Sequence, residues 1–126
     1  MAADAYLKVA AGQLRQAIDT LKREAAAVRS AATSTQQQAQ HEITTLKAAK
    51  LSKEVGSQAP DLSPDISRSL LNEARKLGDQ ISALEQQINN QNQQSEQLAR
   101  NKEFAASDLE SQAVNLENMA TDSRLL

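Results

Sequence analysis

Both prolines of the chain fall in one central segment, Gly56-Ser-Gln-Ala-Pro-Asp-Leu-Ser-Pro64, and nowhere else is the sequence punctuated so strongly. Proline fixes φ and lacks an amide hydrogen, so it starts or ends helices and does not sit inside them. The flanking stretches are rich in strong helix formers and poor in β-branched residues. A chain written this way has one natural place to turn. Ser63, Pro64 and Asp65 read as an N-cap, a first-turn proline and an acid matched to the helix dipole. Gly56 suits the left-handed position just past a helix end. The reading is a single all-α domain over 1–126. It holds helix 1 at about 4–55, a turn at 56–63, helix 2 at about 64–121 and a short C-terminal tail.

Apolar spacing defines how the two helices meet. In helix 1, Leu7, Ala11, Leu14, Ile18, Leu21, Ala25, Val28, Ala32, Thr35 and Ala39 alternate steps of four and three, the seam of a coiled coil. Near Glu42 the seam falters, because Ile43 comes one residue late; Leu46 restores the phase. The shift rotates Glu42 toward the edge. In helix 2, Leu70, Ala74, Leu77, Ile81, Leu84 and Ile88 carry the same alternation, which resumes with Leu98, Ala105, Leu109, Leu116 and Met119. These residues predict a long antiparallel two-helix hairpin.

Polar residues interrupt the seam twice, at Thr33–Gln38 and at Asn89–Gln97. Neither stretch contains Gly or Pro, which favours continuous helices over four short ones folded into a bundle. Lys102 also falls on the seam, where its stem can pack while its ammonium reaches water.

Charge supports the hairpin. Residues 1–55 carry 8 Lys/Arg and 5 Asp/Glu, whereas residues 56–126 carry 6 and 11. Antiparallel pairing sets Lys8, Arg15, Lys22, Arg23 and Arg29 beside the stretch holding Glu96, Glu103, Asp108, Glu110 and Glu117. Each exposed pair contributes little, but the summed pattern selects this pairing over others.

Alanines flank the seam where a two-stranded coil usually carries Glu or Lys. Helix 1 has Ala3, Ala10, Ala17 and Ala31; helix 2 has Ala99, Ala106, Ala113 and Ala120. A stripe widened in this way suits a helix with more than one neighbour. Ala10, Ala17, Ala31, Ala99, Ala106, Ala113 and Ala120 are therefore the expected interaction surface. Through it the hairpin would complete a four-helix or larger bundle, as a homo-oligomer or with another helical protein.

Composition closes off many chemistries. With no Cys and one His there is no thiolate or His cluster for a metal, so no catalytic, cofactor or metal residue is assigned. His41, between Gln40 and Glu42, reads as a solvated surface residue. No phosphate loop, nucleophile elbow or calcium loop appears. A net charge of −2 with 2% aromatics gives no basic field or stacking platform for nucleic acid. No apolar run is long enough to span a membrane, and residues 4–32 lack the Trp-rich, basic character of a membrane-surface helix. The start lacks a secretory signal pattern, so the expected setting is cytoplasmic, with signal-independent export as the other route.

The functional expectation is a non-enzymatic structural or interaction protein. The alternative is an exported or delivered helical protein of a filament, secretion system or phage particle. No Trp, scarce aromatics and abundant Ala, Gln, Asn and Ser make the chain similar in composition to flagellin-like and needle-like bacterial filament proteins. The Trp-x-Gly turn of small exported helical hairpins is absent.

Overall fold

A computed structural model describes the backbone over residues 2–125 and the side chains over residues 3–122. It is 94% helical and has no strand among the described residues. Helix α1 spans Ala2–Gly56 and helix α2 spans Pro64–Leu125; they pack against each other as a hairpin. Both helices run unbroken through their polar stretches, because Gln, Asn, Ser and Thr without Gly or Pro cost too little propensity to end a packed helix.

Two boundaries differ from the sequence reading. Helix α2 continues to Leu125, so the expected tail after residue 121 is helical as far as the backbone is described. Ala120, near this end, is only 2% exposed. Gly56 does not take a left-handed conformation, since no described residue has positive φ. Helix α1 instead tightens as it ends: Gln58 N donates to Val55 O at 3.1 Å and Ala59 N to Gly56 O at 3.3 Å. Bonds of this i→i−3 kind satisfy the last carbonyls without a left-handed residue.

The start of α2 is as its residues require. Ser63 Oγ accepts from Ile66 N at 3.3 Å, and Ser63 O accepts from Ser67 N at 3.1 Å, so Ser63 caps the helix that Pro64 opens. Ser57 ties the two helix ends together. Its hydroxyl donates to Glu54 O at 2.6 Å and its carbonyl accepts from Ser67 Oγ at 2.8 Å, leaving this buried polar residue satisfied.

The chain divides into two compact units, each holding a stretch of both helices: 1–31 with 94–126, and 32–93. Their cores differ in kind. In the first, Ile18, Ala106 and Ala113 form a buried cluster with Leu14, Leu21 and Leu109 against it, and Ala11, Ala25, Ala99 and Ala120 are buried too. In the second, Ile43, Ile81 and Ile88 are packed by Ala39, Leu46 and Leu84. One core is mostly alanine, the other mostly isoleucine.

Burial along α2 corrects the expected seam. The buried positions are Ala74, Ile81 and Ile88, then Ala99, Ala106, Ala113 and Ala120. They are spaced by seven except for one interval of eleven. Eleven residues fill three turns at 3.67 per turn, so such an interval is a stutter that advances the seam by one residue. Leu98, expected on the seam, is therefore 47% exposed, and Ala99 beside it is 0% exposed. Ala105 and Met119 turn outward with it. The physical reason lies in Gln112: the Leu98 phase would bury its amide, whereas the Ala99 phase buries only alanine. An unpaired buried amide costs about 1–3 kcal/mol.

Helix α1 makes the same adjustment. Ala11, Ile18 and Ala25 are buried at sevens, and half-buried Ala32 is followed eleven residues later by buried Ile43. Glu42 is exposed, as the local shift to Ile43 implies.

Candidate interaction surface

Of the remaining expected seam residues, Ile18, Ile81 and Ile88 are buried, and Leu7, Leu14, Leu21, Val28, Leu46, Leu70, Leu77, Leu84, Leu109 and Leu116 are half-buried; Leu14, Leu21, Leu46, Leu84 and Leu109 pack against the buried clusters. The expected interaction surface is corrected in part. Ala99, Ala106, Ala113 and Ala120 are consumed by the hairpin's own core and present nothing to a neighbour. Ala10 and Ala17 are half-buried and Ala31 is exposed.

The stutter explains the difference and reveals what flanks the seam. With Ala11, Ile18 and Ala25 at heptad position a, Lys8, Arg15, Lys22 and Arg29 all fall at e. With Ala99, Ala106 and Ala113 at a, Glu96, Glu103, Glu110 and Glu117 all fall at e of α2. Antiparallel helices bring e beside e. Arg15 binds Glu117 at 2.9 Å and Glu110 at 3.1 Å; Arg29 binds Glu103 at 2.6 Å and Glu96 at 3.1 Å. Lys22 approaches Glu110 at 3.9 Å, while Lys8 turns to Asp4 at 3.7 Å. Arg23 and Asp108, expected near this ladder, stay exposed.

Each arginine thus bridges two glutamates one heptad apart, and the two bridges repeat every fourteen residues. The hydrogen bonds from Arg29 hold Glu96 and Glu103 below the usual carboxylate range, and those bonds in turn raise the Arg29 guanidinium. Arg15 is raised by its bonds to Glu117 and Glu110. These groups lie in water, so the ladder selects register more than it stabilises. In the second unit, Lys53 binds Glu73 at 2.8 Å and lowers it, and Lys47 approaches Glu85 at 3.9 Å.

The opposite flank of the first unit is of another character. Position g of α1 holds Ala10, Ala17, Glu24 and Ala31, and position g of α2 holds Leu98, Ala105, Gln112 and Met119. Its charged contact is Lys102 Nζ to Glu24 at 2.7 Å. Lys102 is half-buried at its seam position with its ammonium turned outward, as its long stem allows. Leu98 at 47% and Met119 at 54% are exposed on this flank.

The second unit also leaves apolar side chains in water near the turn. Leu51 is 60% exposed, Val55 61%, Ile66 52% and Leu71 49%. An open groove of about 230 Å³ is lined by Ala39, Leu84 and Ile88 together with polar residues that include Gln38, Glu42 and Gln91. His41 is exposed. Among the described residues no group of three or more His, Cys, Asp or Glu is placed to hold a metal, and no helix is long and apolar enough to cross a membrane. The sequence signal for the charged flank was the repeat of basic residues at 8, 15, 22 and 29, which becomes a heptad position once the seam is fixed. Comparison with protein-family models, with curated proteins and with solved structures finds no match.

Proposed function

We propose that the chain is a non-enzymatic structural or interaction protein, a helical hairpin that assembles with itself or into a larger complex through apolar surface on its helices. The observation that carries this reading is the set of large apolar side chains left at least 40% exposed. Leu51, Val55, Ile66, Leu71, Leu98 and Met119 are among them. Scattered single residues would mean little, but Leu51 and Val55 lie one helical turn apart and Leu98 and Met119 share a heptad position, which supports a surface that other proteins cover. The alanine core of the first unit points the same way. Alanine buries little area, so that stretch gains little from closing on itself, and further contacts would add stability. Light scattering coupled to size exclusion tests the reading. A mass above the 13.6 kDa of one chain is expected. A monomer at every concentration, with no helical protein recovered on cross-linking in its native cell, would refute it.

A further inference from the structure

We infer that two copies of this chain pack through the g flank of the first unit, with a twofold axis along the hairpin that sets α1 of each copy against α2 of the other. The inference deepens the reading above and rests on it. Two features of that flank are self-complementary in this orientation, and a third concerns the flank opposite.

The first is charge. Glu24 and Lys102 lie within one helical turn of the same level, close enough for their 2.7 Å contact. A twofold axis along the hairpin keeps levels and exchanges helices, so Glu24 of one copy meets Lys102 of the other. Four charges then alternate in sign around the axis. A twofold axis across the hairpin at this level would instead lay α1 on α1 and bring Glu24 beside its own copy, and such like-charge contacts select against that arrangement.

The second is size. Ladder contacts such as Arg29 with Glu103 and Glu96, and Arg15 with Glu117 and Glu110, fix which residues share a level. Ala31 is level with Leu98 and Ala10 with Met119. The same axis therefore seats Leu98 and Met119 of α2 over alanines of α1. The third is the opposite flank, where the basic e positions of α1 are engaged by the glutamates of α2 within the chain. That flank is occupied by charge, whereas the g flank carries exposed Leu98 and Met119. The symmetry is isologous and closes at two copies.

Charge reversal with mixing tests the arrangement. Wild type is expected at twice the 13.6 kDa chain mass. Glu24→Lys and Lys102→Glu each place like charges across the axis, and each alone should raise the dissociation constant by about tenfold or more. An equimolar mixture should return to the dimer mass, because each variant supplies the charge that the other lacks. The intrachain pair is broken in both variants, so a loss of folding cannot produce this rescue. Circular dichroism confirms that each remains helical, and Leu98→Glu offers a second disruption at an exposed position. If wild type dimerises but neither reversal nor Leu98→Glu weakens it, the interface lies elsewhere and only this inference falls. If both reversals dissociate and the mixture does not recover, the orientation is wrong. A monomeric wild type would overturn the inference and self-assembly together.

Discussion

Ala99 is sealed from solvent while Leu98, its neighbour in the sequence, is 47% exposed. The smaller and less hydrophobic of the two is the core residue. The reason is collective. Ala99 belongs to a line of buried alanines at Ala106, Ala113 and Ala120, while Leu98 belongs to a line that includes Gln112. The choice follows the whole line, whichever single side chain is greasier.

This register predicts opposite costs for two substitutions measured by urea denaturation of dilute protein. Ala106→Leu overfills a site that is 1% exposed and should cost about 1–3 kcal/mol. Leu98→Ala should cost less than about 1 kcal/mol, since its side chain is already half in water and Ala is the better helix former. A larger cost at Leu98 would mean that the seam keeps an unbroken heptad.

Ile43 is the largest side chain buried to below 2% exposure among the described residues. Ile43→Ala should cost about 2–5 kcal/mol, because the isoleucine cluster with Ile81 and Ile88 would be left with a cavity. Hydrogen exchange should show the loss of protection around Ala39–Leu46 and Ile81–Ile88. Unchanged protection there would remove Ile43 from the core.

Gly12 is inside α1 with ordinary helical backbone, and a methyl added there meets nothing within 4 Å beyond the adjoining backbone of its own helix. Gly12→Ala should stabilise the chain by about 1 kcal/mol through helix propensity alone. A fall in the thermal midpoint would show that the space is not open.

Ser63 supplies the hydroxyl that accepts from Ile66 N. Ser63→Ala should destabilise by about 1 kcal/mol, and Ser63→Asp should keep most of the stability. Equal losses for both would remove capping as the cause.

Acid should weaken the hairpin through Glu73, Glu96 and Glu103. Hydrogen bonds from Lys53 and Arg29 lower their folded-state values, so their contribution is complete above the ordinary glutamate value of about 4.3. It is lost as pH falls through the lowered values. Stability contributed by these groups should be level from neutral pH to about pH 5 and decline below about pH 4. Arg29→Gln should shrink the decline, and molar salt should shrink it further by screening. An acid profile that Arg29→Gln leaves unchanged would remove the ladder from the account.

The helices, the turn and the antiparallel pairing are legible in the residues alone. Pro60 and Pro64 allow one break, Ser63 caps the helix after it, and no competing propensity exists on either side. The basic half and the acidic half then choose each other. Which flank of each helix is used up is a matter of packing. Positions such as Leu109 and Leu116 are shared by both possible phases of α2, and the polar stretch at 89–97 contains no apolar residue to report the shift. Local spacing is therefore satisfied equally well by Leu98 and by Ala99. Only packing the whole line against α1 separates them, because that step requires either an amide or a methyl to be buried at the same level. The same choice moved four alanines from the expected outer surface into the core, and it left Leu98 and Met119 in the solvent.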